Sequence, residues 1–499
     1  MIRRTGKINR IFRITLPEAR VASLPPDFIS LTIDVSLMLG GHWWGGSKGT
    51  VKGVAKDRVE ALDWLDPRLL RFARPLAPAM LRIGGTEADR IGYRIKKKWS
   101  ATLVASHEFL LQKGLWKRVN TFARKAKFDI LFVIGAGPGN RDGTGAWLSA
   151  NARKLIAHAA KKNLPVTAWE LGNEVNGFPF VHGFRNRVSG SRYAEDFAVF
   201  SRLVHELHPG ARAVGPGSSV WPVIGEPNPI LPTFARSGAL MPTDILSWHY
   251  YPQQSSRGRI ADRRATEGRL LVPRRLDSVK KRARSLRLLA DGREIWMTET
   301  GHALYGGEPG LSNTHCSSLW WLDQLGLLAR EGTSRVFRQS LAGADYGLLD
   351  QTSFEPRPDY YATFLWKRLM GNEVFRAPEV VGPDRRLRVY RHSSASGEDS
   401  SCLLLINLRD RPSRVTFEGC PRECFVISPE NGLRSRHILL NEVPVEEDLI
   451  FAWGKKKTIR KYRIHESDES LTQLPAYSYA FIVLGPRGQK AEQAGVSQT

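Results

Sequence analysis

The chain has 499 residues, 42% hydrophobic, 25% charged and 9% aromatic, with 45 glycines and 29 prolines. This balance belongs to a folded chain that can bury a large core, and it excludes collagen-like, fibrous and mainly disordered proteins. At about 150 residues per domain the length allows up to three units, but barrels of about 250 residues count as one, so two domains are expected.

No run approaches the roughly 18 apolar residues of a membrane span, and MIRRTGKINRIFRITL lacks the apolar stretch of about 7–15 residues in an export signal. Lack of such a signal slightly favours the cytoplasm. The charge is strongly positive, 74 Lys and Arg against 49 Asp and Glu, a formal +25. Such a field attracts polyanions, whether nucleic acid, acidic lipid or acidic polysaccharide, and does not choose among them. The four cysteines, Cys316, Cys402, Cys420 and Cys424, are too few for a disulfide framework and lack zinc-site spacing, so reduced thiols are expected.

Along the chain, KINRIFRITL alternates and is expected to join a later sheet, which makes residues 1–27 an N-terminal strand segment. Eight short apolar runs follow, each separated by enough chain for a helix: FISLTID (28–34), AMLRIGG (79–85), DILFVIG (129–135), TAWELGN (167–173), ARAVGPG (211–217), ILSWHYY (245–251), EIWMTET (294–300) and SRVFRQS (334–340). Most lack polar alternation, as parallel strands covered on both faces do.

Between these runs, Tyr193, Phe197, Phe200, Val204 and Leu207 form a helical stripe with Ser191 placed to cap it. Leu148, Leu155, Ile156 and Ala159 form another. Tyr361, Phe364, Leu365 and Leu369 form a third, with Gly371 as its stop. The alternation predicts an α/β fold, a (β/α)8 barrel over residues 28–371. A doubly wound sheet is the competing arrangement, but LMLGGHWWGG after the first run contains no GxGxxG opening a helix. Past Gly371 the runs RLRVYRH, SCLLLINL, SRVTFEG, CFVISP and YSYAFIVLG predict a C-terminal antiparallel β-sandwich over residues 372–486, and 487–499 read as a solvated tail.

In such a barrel the working residues gather at the carboxyl ends of the strands. Glu174 follows the fourth run and Glu299 closes the seventh, 125 residues apart in sequence yet aimed at one mouth. Two carboxylates across a cleft are what glycoside hydrolysis needs. One protonates the leaving oxygen while the other attacks the anomeric carbon or activates water, and a separation of about 5–5.5 Å gives retention. A lone glutamate at a strand end would instead be read as a cap or a surface ion pair.

WELGNEVNGF, MTETG with YGGEPGLSNT, WLDQLGLLAR, FRQSLAGADYGLLD and PDYYATFLWKRLMG, in that order, resemble glycoside hydrolase family 79, which contains heparanase and β-glucuronidases. The resemblance spans Phe28 to Gly371. It implies a barrel with a β-sandwich and retaining hydrolysis of β-glucuronides, exo-acting here, with endo cleavage of heparan-type polymers as the alternative. By the same resemblance Glu174 matches the acid/base and Glu299 the nucleophile. Asn173 matches the partner of the sugar 2-hydroxyl, and Tyr251 the tyrosine holding the nucleophile, with His249 beside it. Asp34, Thr86 and Gln339 match sugar contacts, while Gly306, Gly307 and Tyr346 match the recognition of the uronic carboxylate.

Two departures stand out: Val175 replaces a proline after the acid, and one extra residue between Glu299 and Tyr305 is expected to displace the carboxylate loop. Thr86 to Phe128 is too short for the insert excised from heparanase, so an active single chain is expected.

Arg82 can support the nucleophile's charge or form a structural ion pair. His42, Trp43 and Trp44 can stack on a sugar or pack the rim. From Arg257 to Arg287, twelve Lys or Arg against three acids give +9, with Arg257 and Arg259 expected to overhang the cleft and SVKKRARSLR to be a solvated face. His182, His205, His208, His302 and His315 show no metal spacing. Neither a metal nor a cofactor is implied, and the expected partner is a uronic-acid glycoside or polysaccharide, with no nucleic acid, membrane span or protein partner. A noncatalytic acidic-glycan binder is the competing class.

Overall fold

Each of the eight apolar runs forms a parallel strand in the computed structural model, which describes residues 11–44, 56–95, 107–221, 225–258, 264–381, 384–453 and 470–485. The strands are β1 (Ile29–Asp34), β2 (Ala79–Gly84), β3 (Phe128–Ile134), β4 (Val166–Leu171), β5 (Arg212–Val220), β6 (Ile245–Tyr250), β7 (Ile295–Thr300) and β8 (Arg335–Arg338). They pair in sequence and close β8 onto β1, a complete barrel. Met80, Leu131, Ala168, Val214, Ile245, Trp296 and Phe337 plug its amino end as a separate apolar cluster. Two residues further along the strands the inward positions turn polar, with Arg82, Glu170, Ser247 and Thr298 all fully buried.

After the barrel, the helix Pro358–Leu369 runs directly into a strand, Met370–Phe375. Gly371 is therefore not the helix stop expected of it. It lies in the sheet, where a Cβ would stand 2.4 Å from Ser393 Oγ, and this close strand approach is what calls for glycine. An eight-stranded sheet contains 370–375, 387–394, 397–407, 478–484 and 421–429, with Arg20–Ser23 at one edge. A four-stranded sheet contains Ile11–Thr15 between Glu379–Val381 and Ser413–Phe417. The segment 397–407 carries an unbroken apolar run because both its faces are covered. Leu403 and Leu405 face the small sheet, and Cys402, Leu404 and Ile406 join the cluster of the barrel helices.

Two helix details differ from expectation. The helix Gly190–Leu207 is capped by Ser189, whose Oγ accepts the Arg192 N–H at 3.2 Å, not by Ser191, which lies inside it. Leu148 precedes the helix Ala150–Lys161 and is 46% exposed, so that stripe begins later. All four cysteines are free. The tail 487–499 and Arg259 lie outside the described residues. No helix among the described residues is long and apolar enough to cross a membrane.

Barrel and sandwich lock through the helix His315–Arg330. Tyr390 from the sheet donates its hydroxyl to buried Asp323 at 2.6 Å, Arg388 Nε donates to the same carboxylate at 2.6 Å, and the tyrosine ring lies over Gly326. A Cβ on Gly326 would stand 2.3 Å from that ring. Alanine gains about 1 kcal/mol in helix propensity but overpacks the joint at a cost of about 1–3 kcal/mol. Gly326→Ala should therefore lower the melting temperature in calorimetry; an unchanged or higher value would show that the joint is loose.

Candidate active site

Strand geometry brings the two acids together by an irregularity. Along β7, Trp296 and Thr298 point into the barrel, so strict alternation would send Glu299 outward. The pairing of β6 with β7 jumps from Trp248↔Met297 to His249↔Glu299, a bulge that re-aims Glu299 into the mouth while Thr300 bonds outward to Tyr250 O and Gln324. Glu174 reaches the same place from the turn after β4. Its backbone is left-handed (φ 50°), its N–H donates to Gly217 O at 3.2 Å, and Asn176 two residues on accepts from and donates to the Ser219 backbone.

One oxygen of Glu174, one of Glu299 and a ring nitrogen of His249 lie within 4.8 Å of one another. Glu299 accepts at both oxygens, from Tyr251 Oη at 2.6 Å and from Arg82 Nη1 at 2.9 Å. Glu174 Oε1 shares a 3.1 Å hydrogen bond with His249 Nδ1. Burial, reinforced by the Glu299 charge and opposed by Arg82, holds the Glu174 carboxyl well above the usual range. Burial and the Arg82 charge push His249 far below its usual value, so the imidazole is neutral, and burial beside Glu299 keeps Tyr251 a protonated phenol. The trio has the spacing of a cation site. Arg82 already occupies Glu299 Oε2, however, and a second cation beside its guanidinium would be repelled.

Arg82 organises the rest. Fully buried in β2, it donates Nε to Glu170 at 2.7 Å, Nη1 to Glu299 and Nη2 to Asn173 Oδ1 at 2.9 Å. Glu170 has no exposure, and its other oxygen accepts from Ser247 and Thr298 at 2.8 and 2.9 Å. Both readings of Arg82, support for Glu299 and structural ion pair, therefore hold at once. Glu170 was not foreseen. The available signal was an acid facing inward in an otherwise apolar strand, which calls for a buried cation. Asp89 is a second unforeseen residue. It accepts the N–H groups of Ala136 and Asn173 at 2.8 and 3.1 Å, and burial pushes its carboxyl up to about 7.

The other expected residues surround this core. Asp34 caps the turn after β1 through Ser36 N, and Gly85 sits so close that a Cβ would lie 1.8 Å from its Oδ2; the Gly85 N–H donates to Asn173 Oδ1. Thr86, half-buried, follows at once. Gln339 continues from β8, bonded to Thr32 Oγ1 and donating to Tyr346 Oη at 3.4 Å. Gly306 and Gly307 both have positive φ (83° and 85°), which favours glycine, and Cβ atoms there would collide with Trp44 and Ser312. Their carbonyls are engaged, by Asp345 and Tyr346 N–H and by Arg257 Nη1, while neither N–H has a partner among the described residues.

Arg257, half-buried, pairs with Asp345 at 2.6 Å and donates to Gly307 O, so it braces the glycine loop. Trp43 packs edge-on to Tyr346 and Trp44 tilts on Tyr305, so the aromatic pair shapes that loop, with His42 exposed.

The sequence profile described as "Glycosyl hydrolase family 79, N-terminal domain" matches residues 17–326. The chain belongs to glycosyl hydrolase family 79. It is 28% identical to heparanase of Gallus gallus over 93% of each chain, and 28% identical to baicalin-beta-D-glucuronidase of Scutellaria baicalensis over 86% of this chain and 84% of that one. Among solved structures, a 4-O-alpha-L-rhamnosyl-beta-D-glucuronidase from Fusarium oxysporum superposes with a TM-score of 0.64 at 15% identity, covering 95% of this chain and all of the other, which establishes a shared fold. The protein is thus a glycoside hydrolase.

Because the family 79 chain holds Glu174 protonated to a higher pH than the unfolded chain does, folding binds a proton as pH rises past the ordinary glutamate range. Stability contributed by that site is present in acid and lost as pH climbs toward the raised value. Glu174→Gln removes the penalty. Its melting temperature should match the parent near pH 4 and exceed it increasingly toward pH 7; a gap that shrinks with rising pH would contradict the raised carboxyl.

Proposed function

We propose that this protein releases β-linked glucuronyl units by double displacement with retention. The observation that carries the reading is the pair of carboxylates with oxygens within 4.8 Å, one protonated by its surroundings and the other held by donors. A separation of about 5–5.5 Å suits direct attack on the sugar, whereas inversion requires about 6.5–9.5 Å to admit a water between acid and base.

In this reaction Glu299 attacks the anomeric carbon while Glu174 gives its proton to the leaving oxygen. The glycosyl–enzyme ester forms as the glycosidic bond breaks. Glu174, now a carboxylate, takes a proton from water, which displaces Glu299 and restores both groups. His249 positions Glu174, and Tyr251 with Arg82 positions Glu299. Asn173, its carbonyl oxygen already engaged, keeps its amide N–H groups for the 2-hydroxyl, a contact that strengthens as positive charge develops on the ring.

Selection of a uronic acid is supported by the two unpartnered N–H groups of Gly306 and Gly307, a backbone concavity suited to an anion, beside the Tyr346 phenol. Asp34, Thr86 and Gln339 line the remaining sugar positions. The tryptophan pair and Tyr305, packed around this loop, favour a terminal sugar and so exo release.

A chromogenic β-glucuronide should be hydrolysed and the matching β-glucoside spared. Glu299→Gln should lose at least about 10³-fold in kcat, and Glu174→Gln about 10²–10⁴-fold in kcat/KM. Undiminished turnover by Glu299→Gln, or equal rates on both sugars, would contradict the reading.

A further inference from the structure

Outside the barrel wall, at the carboxyl ends of β5 and β6, lies a cavity of about 690 Å³ that the catalytic chemistry does not use. Trp221 and Tyr250 form apolar walls, and Arg274, Arg275 and Arg282 line it without an acidic partner among the described residues. Of these three, Arg282 comes from the helix Ser278–Ala290. From the same helix Lys280 and Arg284 pair with Glu331 at 3.7 and 2.7 Å, and Arg388 beyond them pairs with Asp277 and Asp323. Two buried polar atoms of the cavity residues also lack partners among the described residues: Oε1 of Gln253, a residue 4% exposed, needs a donor, and Trp221 Nε1 needs an acceptor.

An occupant that answers all three features has a ring face for the aromatic walls, hydroxyls that both donate and accept, and an anionic group for the arginines. We propose that this cavity binds an acidic sugar unit of the leaving-group chain, at a site separate from the catalytic mouth. Its position agrees. The departing oxygen lies on the side of Glu174, the acid turn is tied to β5 through Asn176 and Ser219, and Trp221 follows two residues later. The substrate is then an acidic oligosaccharide, and the cavity holds its chain beyond the bond that is cut. This inference rests on the glucuronide reading for where the cut falls, so binding is measured apart from hydrolysis.

Two fluorescent hexasaccharides serve as probes on Glu299→Gln: one alternating glucuronate with an uncharged amino sugar, and its O-sulfated counterpart. Fluorescence anisotropy should show binding of at least one, and the difference between them identifies carboxylate or sulfate as the group held. Adding Arg275→Ala with Arg282→Ala should weaken that binding at least about tenfold, the loss expected when charge-assisted contacts are removed. Lys280→Ala with Arg284→Ala, the same change in charge at residues paired with Glu331, should weaken it by less than twofold. In otherwise wild-type protein the arginine pair should leave kcat/KM for a small aryl β-glucuronide within twofold. The proposal is overturned if neither probe binds, if the arginine variants bind unchanged, or if the control pair weakens binding equally. Failure of wild-type protein to hydrolyse the aryl glucuronide would instead overturn the catalytic reading.

Discussion

One guanidinium, buried at the centre of the barrel, ties structure to chemistry. Arg82 touches Glu170 below, Glu299 above and Asn173 to the side, and an arginine can do this because its fork presents several fixed donors at once. Burying such a cation is costly unless it is paired, and removing one partner of a buried pair costs about 3–5 kcal/mol. Glu170 meets that need without exposure and is itself completed by Ser247 and Thr298. The result is a fixed positive charge beneath Glu299, which keeps that side chain in place and sets the electrostatic difference between the two acids. Glu174, with the neutral His249 as its neighbour and no such cation in contact, retains its proton.

Backbone features serve the same arrangement. The β7 bulge turns Glu299 inward one position out of phase, the left-handed turn at Glu174 brings the second acid over the mouth, and Gly85 leaves room for Asp34. Around Gly306 and Gly307 the engaged carbonyls and the Arg257–Asp345 brace hold a loop whose two glycine N–H groups have no partner among the described residues. The site is thus built before any ligand arrives, which is the condition for electrostatic stabilisation of a developing charge.

Much of the barrel was legible in the sequence because a parallel strand buried on both faces writes itself as a continuous apolar run; β1 through β8 each overlap such a run, β3 and β4 starting one residue before it and β5 ending three residues after it. Glu174 and Glu299 were legible from their places at strand ends. What local pattern could not carry was partnership across the barrel. Arg82 and Glu170 are 88 residues apart, and nothing near either names the other. Gly371 looked like a helix stop because a glycine after an amphipathic stripe usually is one; its actual reason, a neighbouring strand at Ser393, is non-local. Arg257 was read only as a cation at the cleft, since its partner Asp345 is 88 residues away in sequence. The expectation of a solvated basic face over 278–287 agrees with the exposure of Lys281, Arg282, Arg284 and Arg287, and only the pairing of Lys280 and Arg284 with Glu331 of another element lay beyond local pattern.

The central claim, that Glu299 and Glu174 act from opposite sides of one sugar without an intervening water, is tested most directly by the anomeric form of the first product. Proton NMR recorded during the opening minutes of hydrolysis of an aryl β-D-glucuronide should show β-glucuronic acid appearing first, with the α form growing in later by mutarotation. Initial appearance of the α anomer would contradict the account.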